Sequence, residues 1–445
     1  MMAMGVGASM RRFLKERGGN FGIMTALLLV PLCGAAGLVI DFGRALSVKS
    51  ELQAAADAAA VGAIAEKSKA VAQALTLPGD GTVTLDQTEA RKIFFGQMSN
   101  DLSDVPVDVD IVLTKTNGII TSRVAFNATL PTTFMRVLGR EQISVSDAAT
   151  AQYQTPSFLD FYMLLDNTPS MGVGATPADV AKLRAATVNG RNGADKDCAF
   201  ACHVVSEAGV EDKGSYYNLA KSIGATIRID VVAEAVSALM ETAQDSQTVT
   251  GQFRMSAYTF GKTALDAGLY TVSTPTTDFS SVSKATSKIE LMSIPSHDYP
   301  NNQTDYNAAL TGINDKIKAT GSGISSADRQ AIVFLVADGV GDAPRSNCTK
   351  KLAGGPRCME PLNTQYCDTL KGRGIKIAVL YTTYLPLPEN GFYNSWIAPF
   401  QAEIPNKMKS CASSGYYFEV SPTQGISDAM NTLFHKIVST PRITS

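Results

Sequence analysis

Three oxygen-bearing side chains stand at alternate positions directly after an apolar run near the middle of the chain. Asp166, Thr168 and Ser170 lie in the segment DNTPSM, which follows FLDFYMLL. In a turn, this spacing lets one carboxylate and two hydroxyls converge on one point. Asp338, followed by Gly339, comes directly after a second apolar run, AIVFLVA. Oxygen ligands carrying little charge suit a hard divalent cation such as Mg²⁺, so these residues predict a cation site.

Alternating strands and helices from Ser157 onward are expected to bring these residues together. The strand candidates are FLDFYMLLD, QFRMSAYTF, AIVFLVAD, IKIAVLYTT and GYYFEV. Helical stretches lie around 177–188, 216–245, 278–291, 305–319 and 425–438. Near-continuous apolar strands are typical of a sheet covered on both faces, and this alternation predicts a doubly wound α/β domain. Because ligands of such domains bind at the carboxyl ends of strands, Asp166 and Asp338 are expected at one surface edge of the sheet.

These motifs resemble the metal-ion-dependent adhesion site of von Willebrand factor A domains. The family pattern is D-x-S-x-S with a threonine from a middle loop and a later aspartate; Thr168 replaces the first serine and keeps its hydroxyl. Thr304, which precedes the helical segment YNAALTGI, matches the loop threonine. The resemblance implies a von Willebrand A-like domain over 157–440 that binds Mg²⁺, Mn²⁺ or Ca²⁺. The implied metal site comprises Thr168, Ser170 and Thr304 as direct ligands and Asp166 and Asp338 acting mostly through water.

Each motif also has a simpler interpretation. Asp166 alone could cap a helix, and Asp338-Gly339 alone could be a turn. The metal-site hypothesis depends on all three motifs occurring in this order on these element types.

A membrane span is predicted near the N-terminus. Residues 21–40 are twenty residues without a formal charge, which is the length that a helix needs to cross a bilayer. Arg11, Arg12, Lys15 and Arg17 precede the run, so the positive-inside rule predicts a cytoplasmic tail over 1–20 and an exported remainder. A cleaved signal peptide with a processing site at Gly34-Ala35-Ala36 is the alternative.

The region 41–153 is predicted to be a small α+β domain. An alanine-rich helix continues from the membrane and ends before Pro78. The segments VDVDIVL, SRVAFNATL and ISVSDAATAQY alternate apolar and polar residues and predict three or four short antiparallel strands, with a short helix TTFMRVLG between the last two.

The front of the chain resembles the N-terminal region of TadG-type proteins of the bacterial tight-adherence, or Flp pilus, assembly system. The resemblance rests on RGGNFGIMTALLL, GLVIDFGR and the stretch SELQAAADAAA. It implies a single-pass inner-membrane protein with a pseudopilin-like domain and a periplasmic bulk. It also implies pilus-assembly or envelope proteins as partners, bound through an acidic residue at the metal. No glutamate follows Gly19 at the position typical of processed pilins, so prepilin cleavage is not expected.

Cysteine usage fits an exported domain. Cys33 lies in the apolar run, and the six others are Cys198, Cys202, Cys348, Cys358, Cys367 and Cys411. An even count outside the membrane predicts up to three disulfides, and at least one is expected, with a connectivity that the sequence leaves open. Haem attachment or a zinc knuckle at Cys198-x-x-x-Cys202-His203 is less favoured, because the spacing is one residue longer than the usual haem motif.

Composition narrows the function classes. With Lys+Arg 39 against Asp+Glu 41 and no long basic run, nucleic acid is not an expected partner. Three dispersed histidines argue against a multi-histidine metal centre. The favoured function is a non-enzymatic binding and assembly protein of the envelope. The alternatives are a structural or surface-adhesion module with a metal-free A domain and, least favoured, a metal-dependent hydrolase, because no histidine lies near either aspartate in sequence.

Overall fold

The chain divides into two compact units, Met1–Thr155 and Pro156–Ser445. The computed structural model describes residues 20–65, 67–77, 79–84, 88–190, 196–297, 299, 303–348, 356–384, 386–388, 390–421 and 425–439. Apart from Asn20, the predicted cytoplasmic tail 1–20 lies outside these residues.

The first unit begins with helix α1, Asn20–Ala63, which has 44 residues. The part from Met24 onward is long and apolar enough to cross a membrane. Up to Ile40 the large apolar side chains of this part are exposed, whereas from Asp41 onward buried residues recur at spacings of three to four. The helix therefore changes from an apolar cylinder into an amphipathic helix that packs on a folded domain. Its buried face includes Ala45, Val48, Leu52, Ala55, Ala56 and Ala59.

The prediction that this helix continues to Pro78 is wrong. Helix α1 ends at Ala63, and a separate helix α2, Lys69–Thr76, follows. The Ser68 hydroxyl accepts a hydrogen bond from the Val71 N–H (3.2 Å), which starts a new helix at that point. Helix α3, Thr88–Gln97, was not predicted; it buries only Ala90 and Phe94, too few residues to give a periodic signal.

A four-stranded antiparallel sheet completes the first unit, in the order β1–β2–β3–β4. The strands are β1 Gly81–Thr82, β2 Val107–Thr116, β3 Ile119–Pro131 and β4 Gln142–Gln154. Asn117 and Gly118, with φ of 51° and 77°, form the tight turn between β2 and β3. The three predicted strand segments are confirmed as β2, β3 and β4, and the predicted helix between the last two is the 3-10 helix Met135–Leu138.

The second unit contains a six-stranded sheet in the order β12–β11–β8–β5–β6–β7, in which only β7, at one edge, is antiparallel to its neighbour. The strands are β5 Leu159–Leu165, β6 Phe253–Thr259, β7 Tyr270–Thr276, β8 Gln330–Ala337, β11 Lys376–Thr382 and β12 Tyr417–Val420. All five predicted strands are present. The predicted doubly wound α/β class is therefore confirmed, and the edge strand β7 is an addition to it.

Helices cover both faces of this sheet and enclose two hydrophobic cores. They are α4 Pro177–Ala186, α5 Tyr216–Ser222, α6 Arg228–Asp245, α7 Phe279–Thr286, α8 Tyr306–Lys316, α9 Gln365–Gly372, α10 Ile404–Cys411 and α11 Ile426–Ser439. The single helix expected over 216–245 is two helices, because Gly224, with φ of 63°, ends the first. Helices α9 and α10 were not predicted.

Two disulfides form among the described cysteines, which confirms the prediction of at least one disulfide. Cys348–Cys358 closes a hairpin of β9, Val340–Pro344, and β10, Arg357–Pro361. Cys367–Cys411 joins α9 to the end of α10.

Candidate metal centre

In the segment after β5, the side-chain oxygen atoms of Asp166, Thr168 and Ser170 lie close together, as their spacing in the sequence predicts. The Thr168 hydroxyl donates to Asp166 Oδ1 (2.7 Å), and the Thr168 N–H donates to the same oxygen (3.0 Å). The Thr168 and Ser170 hydroxyl oxygens lie 3.3 Å apart. Pro169–Gly172 then form a 3-10 turn, because Pro169 has the φ that starts a helical turn. One carboxylate and two hydroxyls therefore face one point.

Asp338 joins this group from the neighbouring strand. Strands β5 and β8 are parallel and in register from Leu159 to Leu165, so their carboxyl ends lie side by side. The Val340 N–H donates to Asp338 Oδ1 (3.1 Å), and the nearby Ser170 hydroxyl opposes the rise that burial causes in the pKa of Asp338. The structure thus brings Asp166, Thr168, Ser170 and Asp338 together.

Tyr306, the first residue of α8, links the two loops that carry the carboxylates. Its hydroxyl donates to Asp166 Oδ2 (3.0 Å) and accepts from the Gly339 N–H (3.0 Å). Its side chain is 2% exposed, so this connection is shielded from water. Sequence reasoning missed Tyr306, and its only signal was its place two residues after Thr304.

Thr304 lies at the edge of the same site. Its N–H donates to the Asp342 carbonyl (2.8 Å), and the Asp342 N–H donates back to the Thr304 carbonyl (2.9 Å). This pair of bonds attaches the loop before α8 to strand β9. Thr304 and Ser170 line one cavity of about 220 Å³.

A buried arginine stands beside Asp338 and was not predicted. Arg228, the first residue of α6, is 1% exposed, and its Nη1 lies 3.7 Å from Asp338 Oδ2. Its Nη2 donates to the Thr383 carbonyl (2.9 Å). The sequence signal would have been an arginine between two isoleucines at the start of an apolar helix, since a buried cation needs a partner.

The carboxylates are buried, so the expectation of a surface site is wrong. Asp166 and Asp338 are both fully inaccessible, because loops and helices close over the ends of the central strands. Burial, and then the charge of Asp338, raises the pKa of Asp166 to about 7. Burial also raises the pKa of Asp338, and the Arg228 guanidinium opposes that rise.

The donor set fits a divalent cation. Among the described atoms, Asp338 Oδ2 is buried and makes no hydrogen bond, and Arg228 Nη1 beside it makes none either. A buried carboxylate oxygen that faces a guanidinium but accepts no hydrogen bond, next to a second carboxylate and two hydroxyls, is a group that a hard cation would satisfy. No group of three or more His, Cys, Asp or Glu suited to a metal occurs in the described part of the chain, so such a cation would depend on hydroxyl oxygens as well.

The cavity beside this centre is largely apolar. Its wall includes Phe200, Met359 and Phe392, together with Cys198, Cys202 and His297. Arg357 also lines it, and its Nε donates to Asp342 Oδ1 (2.7 Å). The lining of the cavity therefore combines the hydroxyl-bearing residues Ser170 and Thr304 with apolar side chains and the Asp342–Arg357 ion pair.

Comparison with known proteins gives a family match for the N-terminal segment. Residues 19–74 match the family model described as "Putative Flp pilus-assembly TadE/G-like". The resemblance of this segment to TadG-type proteins is therefore confirmed. No curated protein sequence matches the chain.

Several solved structures resemble the chain at low identity. Proximal thread matrix protein 1 from the mussel byssus is 13% identical, with 62% of this chain and 47% of that chain covered and a TM-score of 0.33. The vWF domain of the type V pili tip protein Mfa5 from Porphyromonas gingivalis is 10% identical, with coverages of 65% and 99% and a TM-score of 0.34. The pilus adhesin RrgA from Streptococcus pneumoniae is 12% identical, with coverages of 74% and 49% and a TM-score of 0.32. The chain thus spans about half the length of the mussel protein, which has also been solved with a zinc-occupied MIDAS motif.

Proposed function

We propose that this chain is a membrane-anchored envelope protein of Flp pilus assembly that binds partner proteins through a divalent cation. The TadE/G-like match over residues 19–74 and the apolar helix α1 support the pilus-assembly setting. The observation that carries the cation proposal is the unsatisfied Asp338 Oδ2, buried beside Asp166. The proposed ligands are Asp166, Thr168, Ser170, Thr304 and Asp338.

The charges of the site suit capture of an acidic group. Asp166 and Asp338 carry two negative charges, and Arg228 supplies one positive charge. A divalent cation added to this set leaves one net positive charge, which attracts a carboxylate from a partner. Attraction across a buried, water-poor site is stronger than at a surface, because the local dielectric constant is lower.

The cavity indicates the kind of partner side chain. Ser170 and Thr304 contribute hydroxyl groups to its lining, and Phe200, Met359 and Phe392 are among its apolar lining residues. An acidic residue with an apolar neighbour would place its carboxylate at the cation and its neighbour against that wall. Mg²⁺ suits the hydroxyl and carboxylate donors; Mn²⁺ and Ca²⁺ are alternatives with the same oxygen preference.

The proposed arrangement in the envelope follows the sequence predictions. The tail 1–20 is cytoplasmic, residues 21–40 cross the inner membrane once, and the pseudopilin-like region 41–153 and the A-like domain 157–440 are periplasmic. The chain acts as a binding and assembly protein rather than as an enzyme, and its partners are other pilus-assembly or envelope proteins.

A metal-free structural module is the second candidate, and Arg228 favours it. A buried guanidinium already offsets one carboxylate, and the raised pKa of Asp166 allows a proton to neutralise the other. In that case the site would be a closed polar network that fixes the loops at the strand ends.

Metal titration of the full chain in lipid nanodiscs separates these candidates. Isothermal calorimetry with Mg²⁺ and Mn²⁺ should show one site in the wild type and a loss of affinity of at least tenfold in Asp166→Asn. Asparagine is preferred to alanine, because its carbonyl oxygen can still accept from Thr168 and its NH2 group can donate to the Tyr306 hydroxyl oxygen. Thr168→Ser should bind as the wild type does, since it keeps the hydroxyl. Asp266→Ala, which changes an exposed aspartate of the same unit, is the matched control.

Partner binding is tested on the same variants. The tagged chain is cross-linked in membranes of its own host with Mg²⁺ or with a chelator, and captured proteins are identified by mass spectrometry. Pilus-assembly proteins should be captured with Mg²⁺ by the wild type and Asp266→Ala, but not by Asp166→Asn. If calorimetry shows no binding heat at millimolar metal, the cation proposal is wrong and the metal-free structural module is the better description.

A further inference from the structure

The connection between β3 and β4, residues 132–141, is a closed turn and is called here the β3–β4 turn. The Thr132 N–H donates to the Glu141 carbonyl (3.0 Å), and the Arg140 N–H donates to the Met135 carbonyl (3.0 Å). Gly139, with φ of 78°, reverses the chain after the 3-10 helix Met135–Leu138. These bonds give the turn a defined shape.

Asp41 of helix α1 holds this turn in place. Its Oδ1 accepts from the Thr133 N–H (3.0 Å), and its Oδ2 accepts from the N–H groups of Phe134 (2.8 Å) and Met135 (2.7 Å). The Asp41 side chain is 5% exposed. Three charge-assisted bonds from one carboxylate are strong enough to fix where the turn sits along the helix. Asp41 is also the first charged residue after the apolar run.

The turn reaches the level of the apolar run itself. A Cβ on Gly37 would lie 2.3 Å from Phe134 Cβ, so only glycine lets the phenylalanine pack there. Gly37 precedes Ile40, the last residue of the run, by three residues, which is about 4.5 Å along a helix axis. If 21–40 span the bilayer, Phe134 lies at the boundary between the acyl chains and the headgroups.

The side chains that the turn exposes have the chemistry of a membrane interface. Phe134 and Leu138 are 45% and 61% exposed, and Val39 and Ile40 on the adjacent helix are exposed as well. Arg136 and Arg140 are also exposed. Aromatic and aliphatic groups beside arginine are typical of the interface, where the guanidinium extends to lipid phosphates.

We infer that the β3–β4 turn is a membrane-surface foot. Phe134 and Leu138 enter the boundary of the leaflet from which α1 emerges, and Arg136 and Arg140 bind phospholipid phosphates there. The bilayer is the occupant because the exposed apolar side chains of the turn lie beside the apolar part of the same helix. The foot ties the first unit to the membrane surface. The inference uses the membrane span and is independent of the cation site.

Depth-dependent fluorescence quenching tests this inference on the full chain. The chain has one tryptophan, Trp396, so Trp396→Phe gives a silent background. Phe134→Trp is introduced in that background, and the protein is placed in nanodiscs of phosphatidylcholine and phosphatidylglycerol with acyl chains brominated near the headgroup. Emission should shift to shorter wavelength and be quenched several-fold more strongly than in the control.

Phe95→Trp is the matched control. Phe95 is 46% exposed, almost the same as Phe134, and lies on α3, where Ile93 contacts Gly62 of α1. Gly62 is 22 residues beyond Ile40, about 33 Å farther along the helix axis. Adding Asp41→Asn to the Phe134→Trp variant should reduce the quenching, because the turn loses its anchor.

Two results would overturn the membrane-surface foot. Weak quenching that is equal at the two positions would show that the turn stays in water. A shift to shorter wavelength without quenching by the brominated lipid would show that a protein, such as a second copy of this chain, covers the turn instead.

Discussion

Asp166 couples folding to protonation, because its carboxylate is buried beside that of Asp338. Tyr306 and Thr168 donate three hydrogen bonds to Asp166, and these favour its charged form. Desolvation and the neighbouring carboxylate outweigh them, so the pKa of Asp166 is raised to about 7. In metal-free protein near neutral pH, Asp166 therefore takes up a proton, and the proposed cation would have to displace that proton.

We predict that the free energy of unfolding of the metal-free protein decreases as pH rises. The pKa of Asp166 is about 7 in the folded state and 3.8 in the unfolded chain, so the folded state binds the extra proton between these values. The stabilisation is complete below the unfolded value and is lost as pH rises through about 7. Between about pH 5 and pH 8 the loss should be roughly 3 kcal/mol, because pH 5 lies about two units below the folded-state pKa and each unit is worth about 1.36 kcal/mol.

Urea unfolding in chelator at the two pH values measures this loss. Asp166→Asn is the reference, because it lacks the titrating group and shares every other one. The wild type should become less stable relative to Asp166→Asn at the higher pH, and Mg²⁺ should restore its stability. Identical pH dependence in the two proteins would contradict the prediction.

The sequence predicts the candidate site residues only where they lie close together in the chain or directly follow a recognisable strand. Asp166, Thr168 and Ser170 follow each other at alternate positions, and Asp338 ends an apolar strand, so both features were visible. Arg228 reaches Asp338 across 110 positions of the chain, and its flanking isoleucines indicate that it is buried but not which carboxylate it faces. Burial of the site was also hidden, because it depends on loops that the strand pattern does not describe.

The hairpin of β9 and β10 holds Thr304 in position. Two backbone hydrogen bonds join Thr304 to Asp342 of β9. The Arg357 guanidinium of β10 donates to both carboxylate oxygens of Asp342 across the hairpin. Cys348–Cys358 closes the same hairpin. The disulfide that joins α9 and α10, Cys367–Cys411, makes no such link to Thr304.

We predict that Cys348–Cys358 mainly supports metal affinity and that Cys367–Cys411 mainly supports the stability of the domain. Removing Cys348–Cys358 by alanine substitutions should weaken metal affinity by several-fold, because Thr304 loses a fixed position. Removing Cys367–Cys411 should leave metal affinity unchanged but destabilise the domain more, since its loop spans 44 residues rather than 10. The chain-entropy relation gives about 4 kcal/mol for the longer loop and about 2.7 kcal/mol for the shorter one.

Calorimetry and urea unfolding on both double variants provide the readouts. If both variants lose metal affinity to the same extent, the hairpin has no special role and general loosening explains the effect. Each double variant is the control for the other, because each loses one disulfide from the same unit.

Elements with a strong period were predictable, and elements held by distant contacts were not. The five parallel strands are apolar runs bounded by turns, and β5 and β8 are buried along nearly all their length. Strand β7 shows no alternation of apolar and polar residues, and it contains Pro275. An edge strand tolerates a proline, but a proline in the sequence argues against a strand. Helix α1 stops at Ala63 although alanine continues beyond it, because the Ser68 cap starts a new helix.

The chain combines an apolar helix with a disulfide-bonded domain, and both features support the proposed topology. Disulfides form and persist in oxidising compartments, so Cys348–Cys358 and Cys367–Cys411 support the proposed location of the second unit outside the cytoplasm. The four basic residues before position 21 and the balanced charges after position 40 favour a cytoplasmic N-terminus.

The last prediction is that the chain crosses the membrane once with its C-terminal unit exported. Alkaline phosphatase fused after Ser445 should be active, because it needs an oxidising compartment, whereas β-galactosidase fused at the same point should be inactive. Replacing Arg11, Arg12, Lys15 and Arg17 with asparagine should lower the phosphatase activity several-fold, since the orientation signal is removed. Asparagine at Lys67, Lys69, Arg91 and Lys92 removes the same number of charges far from the span and should have no effect. A phosphatase fusion that stays inactive while the galactosidase fusion is active would reverse the topology, and with it the periplasmic setting of the cation site.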